Sequence, residues 1–242
     1  MKGKVSMNRL LKVAAPALLV AAIICQSVGF QGVLAKDNVT TASSDHVSNL
    51  TDQQLQALTN PILQSYKAAN SHKVWKMTAD SRLAVLANQT NIENVRLQEV
   101  VKLVNSEFVE KGIISSPLAM VFAQEKDVSY GDILINIDKT NPITNNSNSE
   151  EAYKITIGED GVRLTGASEN AVMHGLRTIQ NLAITNDGLV YGEIIDYPNV
   201  AERRVHVDCA RKYISKDWFI RQIREMSYMK MNALQIHFSE NM

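Results

Sequence analysis

Residues 203–242 read RRVHVDCARKYISKDWFIRQIREMSYMKMNALQIHFSENM. An apolar strand pattern ends in Asp208-Cys209-Ala210-Arg211, an amphipathic stretch follows from Ser215, and a second strand pattern ends in His237-Phe238-Ser239-Glu240-Asn241. Strand, helix and strand with polar groups collected at both strand ends predict a β-α-β unit. In a (β/α)8 barrel the chemistry sits where the parallel strands finish, so the stretch reads as the opening of such a barrel. A complete barrel takes about 250 residues. The expectation is therefore an incomplete TIM barrel, truncated after its second strand, with most of an active site missing. On the connecting helix, Trp218, Ile223, Met226 and Met229 fall at near-helical spacing and are expected to face the barrel wall as core.

The other end of the chain has the pattern of a targeting segment. Lys2, Lys4, Arg9 and Lys12 precede an uncharged apolar run from Val13 to Cys25, and Val33-Leu34-Ala35 supplies a cleavage position. The run is shorter than the roughly twenty residues a spanning helix needs, so cleaved export is expected, with no membrane span after cleavage and a secreted or cell-surface destination; an uncleaved anchor is the rival, and lipid anchoring through Cys25 is disfavoured by the bulky Ile24 before it. Removing residues 1–35 takes four of the 25 basic residues and none of the 25 acidic ones, leaving 21 against 25, or −4. That balance gives no reason to expect a nucleic-acid partner, which needs clustered Lys and Arg. Cys209 is then the only cysteine, so no intrachain disulfide can form, and on an apolar strand it is expected to be buried and inert.

Between these ends the pattern alternates. Lys36 to His46 is polar and reads as a linker. Leu55, Leu58, Ile62, Leu63 and Tyr66 fit a short amphipathic helix within Leu50 to Ala69. From His72 to Pro198, strands are expected at Val74–Met77, Arg82–Leu86, Leu118–Phe122, Asp132–Ile137, Ala152–Ile157, Val162–Thr165 and Leu189–Ile195. Helices are expected over Asn91–Lys111, stopped by Gly112, and from a Ser168 cap through Val172, Leu176, Ile179 and Leu182. Glu159-Asp160-Gly161 signals a hairpin turn, and Asn141 to Glu150 a surface loop. The organisation that follows is a signal segment over 1–35, a linker and short amphipathic helix over 36–71, an α+β accessory domain over 72–200 and the start of a catalytic barrel over 201–242. The fold class is α/β. No stretch has the spacing of a metal site, a Walker loop or a dinucleotide fingerprint, so no cofactor or metal is expected, and His72 and His174 read as isolated surface or packed histidines.

Asp208, Ala210, Arg211, Lys212 and Tyr213, then Lys230-Met231-Asn232-Ala233-Leu234, then His237, Ser239 and Glu240, resemble glycoside hydrolase family 20, the β-N-acetylhexosaminidases, in order and spacing. Glu151, Tyr153, Ile155, Ile157, Asp160, Gly161, Gly175, Thr178 and Gln180 are similar to the texture of that family's accessory domain, a structural texture. The resemblance implies a carbohydrate partner carrying terminal β-linked N-acetylglucosamine or N-acetylgalactosamine. It implies that Arg211 binds the terminal sugar, its planar guanidinium presenting several fixed donors to hydroxyls. Glu240 would bond a histidine that orients the catalytic acid, although the family more often has Asp there, and Asp208 and His237 are further candidates at the same rim. His237 reads more readily as a packed interior histidine. The resemblance also implies substrate-assisted retaining hydrolysis, in which the 2-acetamido oxygen attacks the anomeric carbon. The Asp-Glu pair for that chemistry belongs at the fourth strand, so no catalytic residue is assigned here. A lacto-N-biosidase or biofilm-polysaccharide specificity is a neighbouring expectation. An inactive truncated product or carbohydrate-binding remnant is the alternative.

Overall fold

The computed structural model describes residues 50–71, 73–140, 143, 149–186, 188–209 and 212–238. The expected signal segment, the expected Lys36 to His46 linker, His72 and most of the loop expected over Asn141 to Glu150 lie outside them, as do Arg211, Ser239 and Glu240. The fold is mixed α/β. In chain order the elements are α1 (Asp52–Gln56), β1 (Ser65–Ala68), β2 (Val74–Trp75), β3 (Arg82–Leu86), α2 (Gln89–Ile92), α3 (Val95–Glu110), β4 (Ala119–Ala123), β5 (Ile133–Ile137), β6 (Tyr153–Gly158), β7 (Gly161–Gly166), α4 (Glu169–Asn186), β8 (Leu189–Val190), β9 (Gly192–Asp196), β10 (Arg204–Asp208), α5 (Lys216–Tyr228) and β11 (Ala233–His237). Among these residues, no helix is long and apolar enough to cross a membrane.

Seven strands form one sheet in the order β1-β9-β6-β7-β5-β3-β4, with β4, β3, β5 and β7 mutually parallel and β6, β9 and β1 added antiparallel. Alternation along β5 sends Ile133, Ile135 and Ile137 into the main core and Leu134 to the other face, where it forms a small cluster with Ala84 and Ala123. The apolar Leu134 that interrupts the alternation therefore has its own place. Leu97, Val101, Val104 and Phe108 of α3 and Val172, Leu176, Ile179 and Leu182 of α4 cover the main core. Gly175 lets α4 approach the sheet closely, since a Cβ there would sit 2.2 Å from Leu164 Cδ1.

Three expectations are corrected. The helix over Leu50–Ala69 is confined to α1, because Pro61 disfavours helix in the residue before it. Residues 65–68 become β1 instead, where Tyr66 is buried and its hydroxyl donates to Val190 O at 2.6 Å. The strand expected over Leu189–Ile195 splits. Leu189–Val190 pairs with Val74–Trp75 and Gly192–Asp196 joins the large sheet. A Cβ at Gly192 would lie 2.1 Å from Lys67 O, so the chain passes from one sheet to the other at a position only glycine fits. The helix expected over Asn91–Lys111 divides, with Ile92 ending α2 and α3 starting at Val95; the buried stripe of α3 runs through Leu97, Val100, Val101, Val104 and Phe108.

β10 and β11 form a separate parallel pair joined by α5, with Asp208 opposite His237 in the register. Ser215 caps α5, its hydroxyl accepting from Trp218 N at 3.2 Å. The core expected on α5 is corrected too. Met226 is buried, Trp218 and Met229 are half-buried and Ile223 is 51% exposed, because two strands cover only part of a helix face.

Candidate functional site

Parallel pairing in register brings the C-terminal ends of β10 and β11 to one edge, where Cys209 N donates to His237 O at 2.9 Å. Strand alternation then sorts the side chains. Val207 is buried on one face, while His206, Asp208, Gln235 and His237 share the other and are exposed. The His206 and His237 rings lie edge to face, 6.1 Å between centroids. Of the sequence-expected site residues, the structure therefore places Asp208 and His237 side by side, and Arg211 and Glu240 fall outside the described residues. His237 is exposed rather than packed in an interior, because that face of the pair carries polar side chains and has no cover among the described residues. Cys209 is half-buried rather than buried.

The opposite end of the same unit carries a cluster that sequence reasoning missed. Lys230, in the turn before β11, has a left-handed φ of 56° and is only 6% exposed. Its ammonium donates to Tyr153 OH at 2.7 Å and to Asp196 Oδ2 at 2.9 Å, and the Tyr153 hydroxyl also donates to Asp196 Oδ2 at 2.6 Å. The other Asp196 oxygen accepts from Gln64 N at 3.1 Å. Beside this network, Glu151 accepts from Arg203 and from Asn232 Nδ2, the latter at 3.1 Å. Arg203 Nε donates to Lys230 O at 2.8 Å, tying the starts of β10 and β11 together.

Burial governs the electrostatics. Desolvation pushes the Tyr153 hydroxyl well above its usual range, and the Asp196 carboxylate adds to the rise. Desolvation pulls the Lys230 ammonium down, opposed by its ion pair with Asp196. His174, 9% exposed on α4, is lowered to about 4, first by burial, with Glu151 opposing and Lys230 and Arg203 assisting. Its Nδ1 lies 3.6 Å from Glu151 Oε2, beyond hydrogen-bond range. These groups line a cleft of about 260 Å³ together with Pro61, Tyr197 and Val200. Among the described residues, no group of three or more His, Cys, Asp or Glu is placed to hold a metal ion.

Residues 59–197 match the family model for glycosyl hydrolase family 20, domain 2, and residues 202–242 match that for the catalytic domain of glycosyl hydrolase family 20. The chain belongs to glycosyl hydrolase family 20. β-Hexosaminidase B of Pseudoalteromonas piscicida is 30% identical over 97 residues, covering 40% of this chain and 12% of that protein. N,N'-diacetylchitobiase of Vibrio harveyi is 29% identical over 92 residues, covering 37% of this chain and 10% of that protein. The fold is similar to that of the family 20 β-N-acetylhexosaminidase from Streptomyces coelicolor A3(2), with a TM-score of 0.58, 19% identity and coverage of 79% of this chain and 36% of that one. A Streptomyces plicatus β-hexosaminidase variant in complex with the product GlcNAc gives a TM-score of 0.57 at 17% identity, covering 81% of this chain and 37% of that one. The matches thus span between about a tenth and somewhat over a third of these relatives' length.

The family assignment gives the cleft a position. Glu151, Tyr153, His174 and Asp196 fall in the region matching domain 2, and Arg203, Lys230 and Asn232 in the region matching the catalytic domain. The cluster is the seam between the two. Glu151, Tyr153 and Thr178, expected from texture to be structural, act at this seam, with Thr178 bonded to the Tyr153 hydroxyl. The available signal was the Glu-x-Tyr spacing, which puts one polar group just before a β-strand and another at its first residue.

Proposed function

We propose that this chain is the amino-terminal part of an exported family 20 glycosidase that removes terminal β-linked N-acetylhexosamine from glycans. The observation that carries the reading is the catalytic-domain match over 202–242, in which a parallel strand pair sets Asp208 beside His237 at one rim. At that rim Arg211 would hold the terminal sugar through its hydroxyls, and Glu240 would orient a histidine that positions the catalytic acid. Substrate-assisted retention is the mechanism such a site would serve, with the acetamido oxygen as nucleophile. The Asp-Glu pair it needs is expected on sequence following the second strand, and no carboxylate of this chain is assigned to replace it. Residues 1–35 would direct export, giving a secreted or cell-surface enzyme.

The test is hydrolysis of a chromogenic N-acetyl-β-glucosaminide by residues 1–242 and by the same polypeptide extended through its downstream reading frame. Activity in the extended protein alone, lost on Arg211→Ala, supports the reading. No activity in either, with a stop codon directly after Met242, would overturn it in favour of a non-catalytic remnant.

A further inference from the structure

Among the described residues, the buried polar side chains of the seam cleft bond to one another and leave out His174. Glu151 is satisfied by Arg203 and Asn232, Asp196 by Lys230, Tyr153 and the Gln64 amide, and Lys230 by Asp196 and Tyr153. His174 lines the same cleft with its side chain 11% exposed, and among the described residues no hydrogen bond reaches its ring. Every charge facing it is accounted for. Glu151 precedes β6, Asp196 ends β9, Arg203 precedes β10 and Lys230 precedes β11, giving two anions and two cations, with the neutral Tyr153 hydroxyl among them.

We propose that His174 makes this seam an acid-sensitive joint, whose protonation releases the β10-α5-β11 unit from the seven-stranded domain while that domain stays folded. The geometry supplies the reason. A proton on His174 adds a third cation to a cleft holding two anions. Glu151 Oε2 at 3.6 Å attracts the imidazolium, but burial in the cleft and the neighbouring Arg203 and Lys230 cations outweigh that attraction, and opening the joint returns the ring to water. A released unit of two strands and one helix has too little of its own core to stay ordered. Release is therefore read as backbone exposure in β10 and β11. The proposal does not depend on the glycosidase reading.

Linkage sets the size of the effect. In the closed joint the ring resists protonation down to about 4, and in the open joint it returns to its ordinary value of 6.5. The opening constant then rises by close to tenfold per pH unit within that window, or roughly fiftyfold between pH 7 and pH 4.5.

The experiment is hydrogen exchange on residues 1–242 at pH 7 and pH 4.5, corrected for intrinsic rates and read by mass spectrometry. Peptides covering 203–209 and 231–238 are compared with those covering 153–166, and the imidazole of His174 is titrated by NMR. The expected result is a rise of roughly fiftyfold in opening of β10 and β11, little change in β6 and β7, a ring that titrates well below 6, and loss of most of the rise in His174→Gln. A ring titrating at its ordinary value, a rise that persists in His174→Gln, or a sheet that loosens together with the strand pair overturns the proposal. Should His174→Gln fail to fold, the titration and exchange of the unaltered chain decide.

Discussion

Replacing Lys230 by alanine removes the one cation that, among the described residues, is within hydrogen-bond range of the Asp196 carboxylate. Both side chains are buried, each 8% exposed. Breaking a buried pair from one side typically costs about 3–5 kcal/mol, because the remaining charge stays desolvated and uncompensated. Asp196 would keep its bonds from Tyr153 and the Gln64 amide, which places the expected loss at the lower end, about 3 kcal/mol. Backbone strain separates a second variant. Lys230 has φ 56°, a conformation that costs a non-glycine residue about 1–2 kcal/mol. Lys230→Gly loses the same ammonium but relieves that strain, so it should be about 1 kcal/mol more stable than Lys230→Ala. Adding Asp196→Asn to Lys230→Ala should cost less than the two single losses combined, because the stranded charge goes with it. Urea unfolding at pH 7 reads all three. With a slope of about 2 kcal/mol per molar, the alanine midpoint falls by about 1.5 M. A loss below about 0.5 kcal/mol in Lys230→Ala, or a glycine variant less stable than the alanine one, would refute the argument that this ion pair and this turn hold the seam.

Further outcomes are expected elsewhere. Gly175→Ala should destabilise by about 1–3 kcal/mol, because its Cβ would overlap Leu164 Cδ1, and Leu164→Val in the same chain should restore part of that loss in thermal unfolding. Asn105→Ala should cost about 2–4 kcal/mol by urea unfolding. It removes both bonds to the buried backbone of Leu118, donated to the carbonyl at 2.8 Å and accepted from the amide at 2.9 Å. Stability should also depend on acid through His174. Its lowered folded value means the unfolded chain binds the proton first, so this contribution is complete above 6.5 and is lost as pH falls toward about 4. The loss amounts to at most about 3 kcal/mol, and it should be absent from the pH profile of His174→Gln.

The strand-helix-strand order of 203–242, the hairpin around Glu159-Asp160-Gly161 and the helix through Val172 and Leu182 were legible because each is a local matter. Alternation, a turn signal or a helical stripe needs only neighbours in the chain to be recognised. The Asp208 and His237 rim was legible for a related reason. Two similar strands joined by one helix must run parallel in a single sheet, so their ends meet at one edge. Residues 65–68 were not legible. Tyr66 fits a helical stripe as well as a strand, and the choice was made by the open edge of β9 and by the Val190 carbonyl, more than a hundred residues away. The split at Gly192 was likewise hidden, since its reason is the passing backbone of Lys67.

The seam shows the limit most clearly. Lys230 and Asn232 could be recognised as motif residues, and Glu151 and Tyr153 as texture, but nothing local says that an ammonium before β11 is buried against a carboxylate at the end of β9. Side-chain chemistry and spacing specify what each segment can form. Long-range packing specifies which polar groups lose water together, and that shared desolvation holds the His174 ring down to about 4.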